Sequence, residues 1–400
     1  MKNYIKVPIS RTELLESDIK SVLEPLNSGW LVQGPKVREF ENAFCDFTNS
    51  KYAIAVTSCT SALYLSLSVN QIGPGDEVIV PAFTWISSAN VVEHLGAKVV
   101  FADIDLETFN INPEDVIKKI TSKTKAIMPV HLFGLPADMK EISAIAKSQR
   151  ILLVEDAACG FGAQYYNDHV GTMGNLGCFS FHPRKTITTG EGGMVTTNDL
   201  ELSKKLRRLR DHGALVSDLQ RHQGNKPFLL PDFSEAGFNL RMTDIQAALG
   251  VSQMKRATKI LHERIDLADN YNRAFSELDW LRPQASKSKE IKHSYQSYAC
   301  LINPEETKIL ARNLDFKKIT KLKKFRDNLM AQLNSIGIST RPSTHSIHTL
   351  SYYSRKYNLK PLDYPNAYLA SISSISLPLF NGLKTYEQEY VINSILQLDY

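Results

Sequence analysis

The chain has 400 residues, whereas single domains usually have roughly 100–150, so we expect two domains or one large two-lobed unit. Hydrophobic residues make up 43% and charged residues 22%, a balance typical of soluble globular proteins that excludes disorder, collagen and coiled coil. The net charge of +5 is too mild for a nucleic-acid-binding protein, but it suits a small substrate that carries phosphate.

We expect neither membrane insertion nor a secretory signal. No stretch reaches the ~18 consecutive apolar residues of a bilayer span, and the first eight residues lack an apolar signal core. The cysteines are scattered without metal-ligand spacing, which predicts reduced thiols and no metal site; they are Cys45, Cys59, Cys159, Cys178 and Cys300. We therefore predict a cytoplasmic protein.

Short apolar runs alternate with helical patterns along the chain, which predicts an α/β fold with a mostly parallel sheet wrapped by helices. The predicted strands are 52–56, 77–80, 98–101, 126–130, 151–154, 178–181 and 193–197, and the predicted helices are 61–70, 86–95, 113–120 and 139–148. From residue 244 the pattern changes to one long charged helix, 244–278, and then to mixed short elements. We predict a large domain at 1–254 and a smaller α+β C-terminal domain at 255–400.

Ligands of open α/β sheets bind beyond the carboxyl ends of the strands, and four predicted loops at these ends carry polar or aromatic residues. Glu155 and Asp156 follow one strand, although Asp156 alone also suits a helix cap. The sequence Gly160-x-Gly162 that comes next is a weak dinucleotide-binding signal, because Tyr165 occupies the third glycine position.

The other three loops supply an amine, hydroxyl groups and an indole. Lys185 lies between a strand end and a glycine-rich turn, and the Ile, Thr and Gly residues that follow it are not typical of a charged surface. Burial would lower the pKa of its amine and favour imine formation. Thr60 and Ser61 begin a predicted helix, where they form either a phosphate cradle or a simple N-cap cluster. Trp85 follows another strand, where it either packs in the core or covers a flat ring.

One cofactor accounts for all four loops. Pyridoxal phosphate (PLP) needs an amine for its aldehyde, an acid at its ring nitrogen, a phosphate seat and a flat cover. The chain also resembles, over nearly its whole length, the DegT/DnrJ/EryC1/StrS family of PLP-dependent nucleotide-sugar aminotransferases. The most specific shared motifs are Ser-Phe-x-x-x-Lys at 180–185 and Gly-Glu-Gly-Gly at 190–193, and the likeness extends through Gly-Phe-Asn-Leu-Arg-Met-Thr-Asp at 237–244.

The resemblance implies the aspartate-aminotransferase fold (fold type I) and a role for each matched residue. Lys185 would form the Schiff base with PLP and carry a proton between the substrate and the cofactor, while Asp156 would keep the pyridine nitrogen protonated. The remaining cofactor contacts would come from Trp85 on the ring, from Thr60, Ser61 and Ser180 at the phosphate, and from Asn239, which would reach the phosphate across a dimer interface. We therefore expect a homodimer with shared active sites.

The sequence departs from the family at one cofactor contact. Cys159 stands where many members have Gln or His near the phenolic oxygen of PLP, and a thiol is a weaker hydrogen-bond donor. Arg241 and His348 are predicted to bind the substrate, the alternative for His348 being a surface histidine.

These features together predict a transaminase that moves an amino group from an amino acid, L-glutamate, to a nucleotide-linked 4-keto-6-deoxy sugar, for surface-glycan or aminosugar biosynthesis. Its partners would be the nucleotide-diphosphate sugar and the amino-acid donor. Three alternatives stay open: a non-catalytic PLP-binding or regulatory protein of the same fold, a C-3 sugar aminotransferase, and a Rossmann-type oxidoreductase that binds NAD.

Overall fold

The computed structural model describes residues 5–216, 218–224 and 228–398. Within these ranges no helix combines the length and the apolar character that crossing a membrane requires.

Fifteen helices are present in the described residues. They are α1 (Glu16–Ser28), α2 (Pro35–Thr48), α3 (Cys59–Val69), α4 (Ser87–His94), α5 (Pro113–Lys119), α6 (Met139–Gln149), α7 (Leu200–Arg210), α8 (Asp218–Gln223), α9 (Asp244–Met254), α10 (Ala257–Ala274), α11 (Pro304–Asn313), α12 (Phe316–Ser335), α13 (Ser351–Lys356), α14 (Pro365–Ser373) and α15 (Thr385–Leu396). Three short 3₁₀ turns occur at Leu132–Gly134, Ile347–Thr349 and Pro361–Asp363.

The same part of the chain forms fifteen strands. They are β1 (Tyr52–Val56), β2 (Glu77–Pro81), β3 (Phe83–Thr84), β4 (Lys98–Ala102), β5 (Thr124–Ile127), β6 (Leu152–Asp156), β7 (Gln164–Tyr165), β8 (Asp168–His169), β9 (Leu176–Ser180), β10 (Gly193–Thr197), β11 (Leu281–Pro283), β12 (Ile291–Lys292), β13 (Tyr298–Ile302), β14 (His345–Ser346) and β15 (Ser374–Leu377).

Seven strands form the central sheet in the order β1-β10-β9-β6-β5-β2-β4. All neighbouring pairs from β9 to β4 are parallel, and β10 runs antiparallel to both β9 and β1. These are the seven strands that the sequence predicts, which confirms the mostly parallel α/β sheet. Apolar residues cover both of its faces, as helices on each side of a parallel sheet require.

The predicted long helix 244–278 is wrong, because the chain breaks it into α9 and α10. Arg256 leaves the helical region with φ −118°. Its guanidinium group turns toward the N-terminal segment, where it contacts Glu13 Oε2 at 3.3 Å and Asp18 Oδ2 at 2.7 Å. The break therefore results from partners about 240 residues earlier in the chain.

A second apolar core lies toward the C-terminus around the antiparallel sheet β11-β13-β15. The helix α10 joins the two cores, since Ile260 packs with the central sheet and Tyr271 packs with the smaller one. The division into domains at 1–254 and 255–400 stays a prediction.

The extended segment 7–13, which we call the N-terminal strap, contacts both cores. Val7 exchanges backbone hydrogen bonds with Gly337 and Ser339. Arg11 pairs with Glu387 of α15 at 3.2 Å, and Thr12 donates to the carbonyl oxygen of Pro183 at 3.1 Å. The strap thus links the C-terminal elements to the loop that precedes Lys185.

Candidate functional site

The candidate site is built around Lys185 and Asp156, which follow neighbouring parallel strands. Asp156 ends β6 and is paired in register with Cys178 of β9, the strand that leads to Lys185. Lys185 Nζ lies 3.1 Å from Cys159 Sγ, and its positive charge opposes the rise that burial causes in the pKa of Asp156. The predicted amine, acid and thiol therefore lie together at one edge of the sheet.

The Asp156 carboxylate is buried and oriented by two hydrogen bonds. Ser88 Oγ donates to Oδ2 at 2.8 Å, and the backbone N–H of Ala158 donates to Oδ1 at 3.1 Å. Burial raises the pKa of Asp156, while these two donors and the Lys185 charge oppose that rise. Keeping this carboxylate ionised in a buried site costs free energy, which a cationic partner would offset.

The neighbouring Glu155 has a different, structural position. Its buried carboxylate accepts backbone N–H groups of Gly171, Met173 and Gly174 at 2.5–2.8 Å. The fourth contact, at 2.9 Å, is His131 Nε2. The other ring nitrogen of His131 accepts the N–H of Ala137, so Nε2 carries the proton and donates to Glu155. Glu155 thereby fixes the chain around the end of β6.

The N-terminus of α3 forms a seat for an anion. Ser58 Oγ caps the helix by accepting the N–H of Ser61 at 3.1 Å, and the Ser61 hydroxyl lies 2.9 Å from that of Thr57. The helix has no acidic residue in its first turn, and Thr60 is exposed there. Free N–H groups and the helix dipole at such an end favour phosphate.

Gly193 brings β10 and Ser180 close to this seat. A Cβ atom at Gly193 would lie only 2.4 Å from the backbone of Ser58, so the close approach requires glycine. Gly193 also pairs with Val56 on one side and with Ser180 on the other. Ser180, Gly193 and Val56 are therefore paired side by side across three strands, and Val56 lies just before the N-terminus of α3.

Trp85 is a surface residue at the edge of the site and not a core residue, since 60% of it is exposed. Strand β14 pairs with β3, which brings the ring of His345 to 5.8 Å from the indole. His348 is fully buried instead, with Nε2 2.9 Å from the carbonyl oxygen of Pro361 and its ring against Tyr364. The histidine beside Trp85 is therefore His345, and His348 lies apart from it.

Asn239 and Arg241 lie beside the end of β1. Arg241 forms a backbone bridge with Val56, and its Nη1 contacts Asp211 Oδ1 at 2.5 Å. Asn239 is exposed, and its side chain makes no hydrogen bond within the described part of the chain. Its amide is available to a second molecule, whereas Arg241 already has one acidic partner.

The structure adds Ser88 and Arg341 to the residues that sequence patterns single out. Ser88 is buried on α4, and its hydrogen bond goes to Asp156, 68 residues later, so no local pattern indicates it. Arg341 lies in the pocket of Lys185, across from the central sheet. The signal available for it was His348, seven residues later in the same segment, which is predicted to bind the substrate.

These residues fit PLP. An amine lies beside a buried acid, a helix N-terminus without acidic residues offers hydroxyl and N–H donors, and an exposed indole stands at the edge. Each of the four groups that the cofactor needs is thus available in this one chain.

Comparisons with known proteins agree with this geometry. The model of the DegT/DnrJ/EryC1/StrS aminotransferase family matches residues 13–396. The spore coat polysaccharide biosynthesis protein SpsC of Bacillus subtilis is 35% identical over 389 residues, which cover 97% of this chain and 96% of that protein.

Solved structures are similar over the same length. Helicobacter pylori PseC, an aminotransferase involved in the biosynthesis of pseudoaminic acid, superimposes with a TM-score of 0.85 at 30% identity, covering 98% of this chain and 99% of that one. The PLP form of Spr1654 from Streptococcus pneumoniae gives a TM-score of 0.86 at 28% identity, covering 98% and 97%.

Proposed function

Because this chain belongs to the DegT/DnrJ/EryC1/StrS aminotransferase family and is a PLP-dependent sugar aminotransferase, we propose that it moves an amino group from L-glutamate to a nucleotide-linked 4-keto-6-deoxy sugar. The product would serve surface-glycan or aminosugar biosynthesis. The observation that carries the proposal is Lys185, whose amine lies beside Cys159 and near the buried Asp156. A relative that has lost this lysine would lack the amine that the transfer needs.

Lys185 is placed to hold and move the proton of the reaction. When bound, PLP supplies an aldehyde that links to an amine and a ring that takes up an electron pair. The Lys185 amine would remove the proton from the amine-bearing carbon of the donor. It would later deliver a proton to the sugar carbon that receives the amino group. Its contact with Cys159 Sγ, at 3.1 Å, keeps Nζ at this position.

Asp156 would hold a proton on the pyridine nitrogen of PLP. A buried carboxylate with a raised pKa favours contact with a cation, and ring protonation is what lets the ring accept electrons. Ser88 and Ala158 orient both carboxylate oxygens, so the acid is fixed before the cofactor arrives. The α3 N-terminus with Thr60, Ser61 and Ser180 would bind the phosphate group.

We propose amination at C-4 on the basis of the turn after Lys185. Its sequence, Ile-Thr-Thr-Gly-Glu-Gly-Gly at 187–193, resembles family members that act on this carbon. The turn is well anchored: the Thr188 hydroxyl donates to Phe181 O at 2.8 Å, and the Thr188 N–H donates to Gln253 Oε1 at 3.0 Å. A fixed turn beside the amine restricts which ketone carbon comes within the roughly 3–3.5 Å that attack requires.

We also propose a homodimer with shared active sites. Exposed apolar side chains support it, because one group lies on α1 and the residues after it, and another on the segment that precedes Asn239. The groups are Ile19, Leu23, Leu26, Leu31 and Val32, and Phe228, Leu229, Leu230 and Phe233. Contiguous exposed apolar surface is typical of protein interfaces. The free Asn239 amide would then reach the phosphate of the neighbouring subunit.

A cytoplasmic location suits the free thiols of all five cysteines, since disulfides are rare in reducing compartments.

Incubation of the PLP-loaded protein with L-glutamate and 4-keto-6-deoxy sugars linked to UDP, dTDP or GDP tests the function. We expect one of them to yield a new amine at C-4, identified by the product's NMR spectrum. Lys185→Ala protein is the control and should give no product. An amine at C-3 would support the alternative C-3 enzyme, and PLP binding without any transfer would support a regulatory protein.

A further inference from the structure

The helix α4 carries Ser88, which donates a hydrogen bond to Asp156, yet it has little stability of its own. It has only eight residues, and no described side chain caps its N-terminus with a hydrogen bond. Helices this short are not stable alone in water, so contacts with the rest of the protein decide where they lie. The position of the Ser88 hydroxyl therefore depends on what holds α4 in place.

The helix α13, from the C-terminal part of the chain, holds α4 on the side that faces away from Ser88. Successive residues of an α-helix are rotated by about 100°, so Asn90 and Glu93 lie about 200° and 140° around the axis from Ser88. Tyr353 Oη of α13 donates to Asn90 Oδ1 at 2.7 Å. Tyr357, which directly follows α13, donates through its hydroxyl to Glu93 Oε1. Two tyrosines therefore hold two successive turns of α4.

The Tyr353 hydroxyl is the more critical of these two donors. The Tyr353 side chain is fully buried in the core of the central sheet. A hydroxyl that lost Asn90 there would be buried without its partner, which costs free energy. Glu93 also pairs with Lys356, so loss of the Tyr357 hydroxyl would leave its carboxylate with a partner. The bond between Tyr353 and Asn90 is therefore the contact whose loss should shift α4.

The segment that ends in α13 also fixes the chain that leads into α4. Its strand β14 pairs with β3, and the backbone N–H of Ile347 donates to the carbonyl oxygen of Ala82 at 2.8 Å. Contacts with this one segment thus restrain α4 both before its first residue and along its outer side. The helix consequently has a defined position against the central sheet.

This restraint reaches the buried acid through a single hydrogen bond. Ser88 Oγ lies 2.8 Å from Asp156 Oδ2, and since such bonds span about 2.5–3.0 Å, a shift of α4 by a few tenths of an ångström would weaken it. We propose that Tyr353 is a positioning residue. Through Asn90 it keeps the Ser88 hydroxyl at bonding distance from Asp156, an inference that rests on the proposed contact of Asp156 with PLP.

The test is a double-mutant cycle on PLP affinity, measured by titrating cofactor-free protein with PLP and following the absorbance. A neutral hydrogen bond is worth about two- to tenfold in an equilibrium constant, so Tyr353→Phe should weaken PLP binding by about that factor. In a Ser88→Ala background no hydroxyl is left to position. The same substitution should then change PLP affinity by less than about twofold, because the two residues act through one contact.

Tyr271→Phe is the matched control. Tyr271 is also fully buried and donates one hydrogen bond, to the carbonyl oxygen of Pro378 at 2.9 Å, but it lies in the smaller core. Its loss should lower the melting temperature of the cofactor-free protein and leave PLP affinity unchanged. Asn90→Leu removes the acceptor instead of the donor and should weaken PLP binding as Tyr353→Phe does. It replaces Tyr353→Phe in the cycle if that variant does not fold.

The cycle separates this proposal from the proposals on which it rests. Equal effects of Tyr353→Phe in both backgrounds would overturn it, and so would unchanged affinity of Tyr353→Phe while Ser88→Ala binds PLP more weakly. Unchanged affinity of both single variants would overturn it together with the role of Asp156 at the cofactor. Coupling between the two sites, in a protein that aminates no 4-keto sugar, would refute the proposed sugar substrate and support this proposal.

Discussion

Ser88→Ala tests how the buried acid keeps its charge. Ser88 Oγ gives Asp156 Oδ2 its 2.8 Å hydrogen bond, and the backbone of Ala158 serves the other oxygen. Alanine removes the hydroxyl and leaves Oδ2 without this donor in a site where Asp156 is only 3% exposed. The ionised form of Asp156, which the protonated ring nitrogen of PLP requires, is therefore disfavoured.

The size of the effect follows from the kind of hydrogen bond that is lost. A hydrogen bond to a charged group contributes about 1.5–3 kcal/mol, and 1.4 kcal/mol corresponds to a factor of ten. We therefore expect PLP to bind about 10- to 150-fold more weakly to Ser88→Ala. Burial already raises the pKa of Asp156, and losing a donor raises it further. Since protonation increases as pH falls, the defect should be larger at pH 6 than at pH 8.

The assay is the titration of cofactor-free protein with PLP, followed by absorbance at both pH values. Ser87→Ala, one residue earlier on α4, removes a hydroxyl that makes no hydrogen bond within the described residues and is the matched control. Ser88→Thr keeps a hydroxyl and should retain most of the affinity. Equal PLP affinity of Ser88→Ala and Ser87→Ala at both pH values would refute the role assigned to Ser88.

Three further outcomes are expected. Cys159→Ser should keep most activity in a steady-state assay, and a loss beyond about a hundredfold, roughly 2.7 kcal/mol in the barrier, would instead show an essential thiol. Mixed Lys185→Ala and Asn239→Ala protomers should regain part of the activity through hybrid dimers with one intact site; no regain, with hybrids shown to form, would contradict shared sites. Asp156→Asn should abolish transfer yet raise the melting temperature of the cofactor-free protein at pH 7. The pKa of Asp156 is higher in the folded protein than in the unfolded chain, so above the ordinary pKa of an aspartate the ionised carboxylate destabilises the fold. A lower melting temperature would show that the charge stabilises the free protein.

The central sheet is predictable from sequence because its strands are buried on both faces. Short apolar runs such as residues 52–56 and 78–80 are typical of strands that are buried on both faces, so these strands are visible in the sequence. The strand ends were equally visible, since Asp156 is the last residue of β6 and Lys185 lies five residues after the end of β9. Their roles in binding PLP stay predictions that the proposed experiments test.

Features that depend on distant partners were not predictable. The break between α9 and α10 follows from Arg256 meeting Glu13 and Asp18, which a local helical pattern does not contain. His348, which is predicted to bind the substrate, is likewise buried apart from Trp85, because β14 pairs with β3 and brings His345 there instead. In both cases tertiary contacts decide what local sequence leaves open.

The N-terminal strap has a consequence for any motion of the two halves of the molecule. Residues 9–11 form part of the wall of the Lys185 pocket, while the strap is bonded to Gly337 at one end and, through Thr12, to Pro183 near the other. A hinge at the α9–α10 break would also pull on the strap, because Arg256 holds Glu13 there. Opening and closing of the halves would therefore reshape the pocket wall directly.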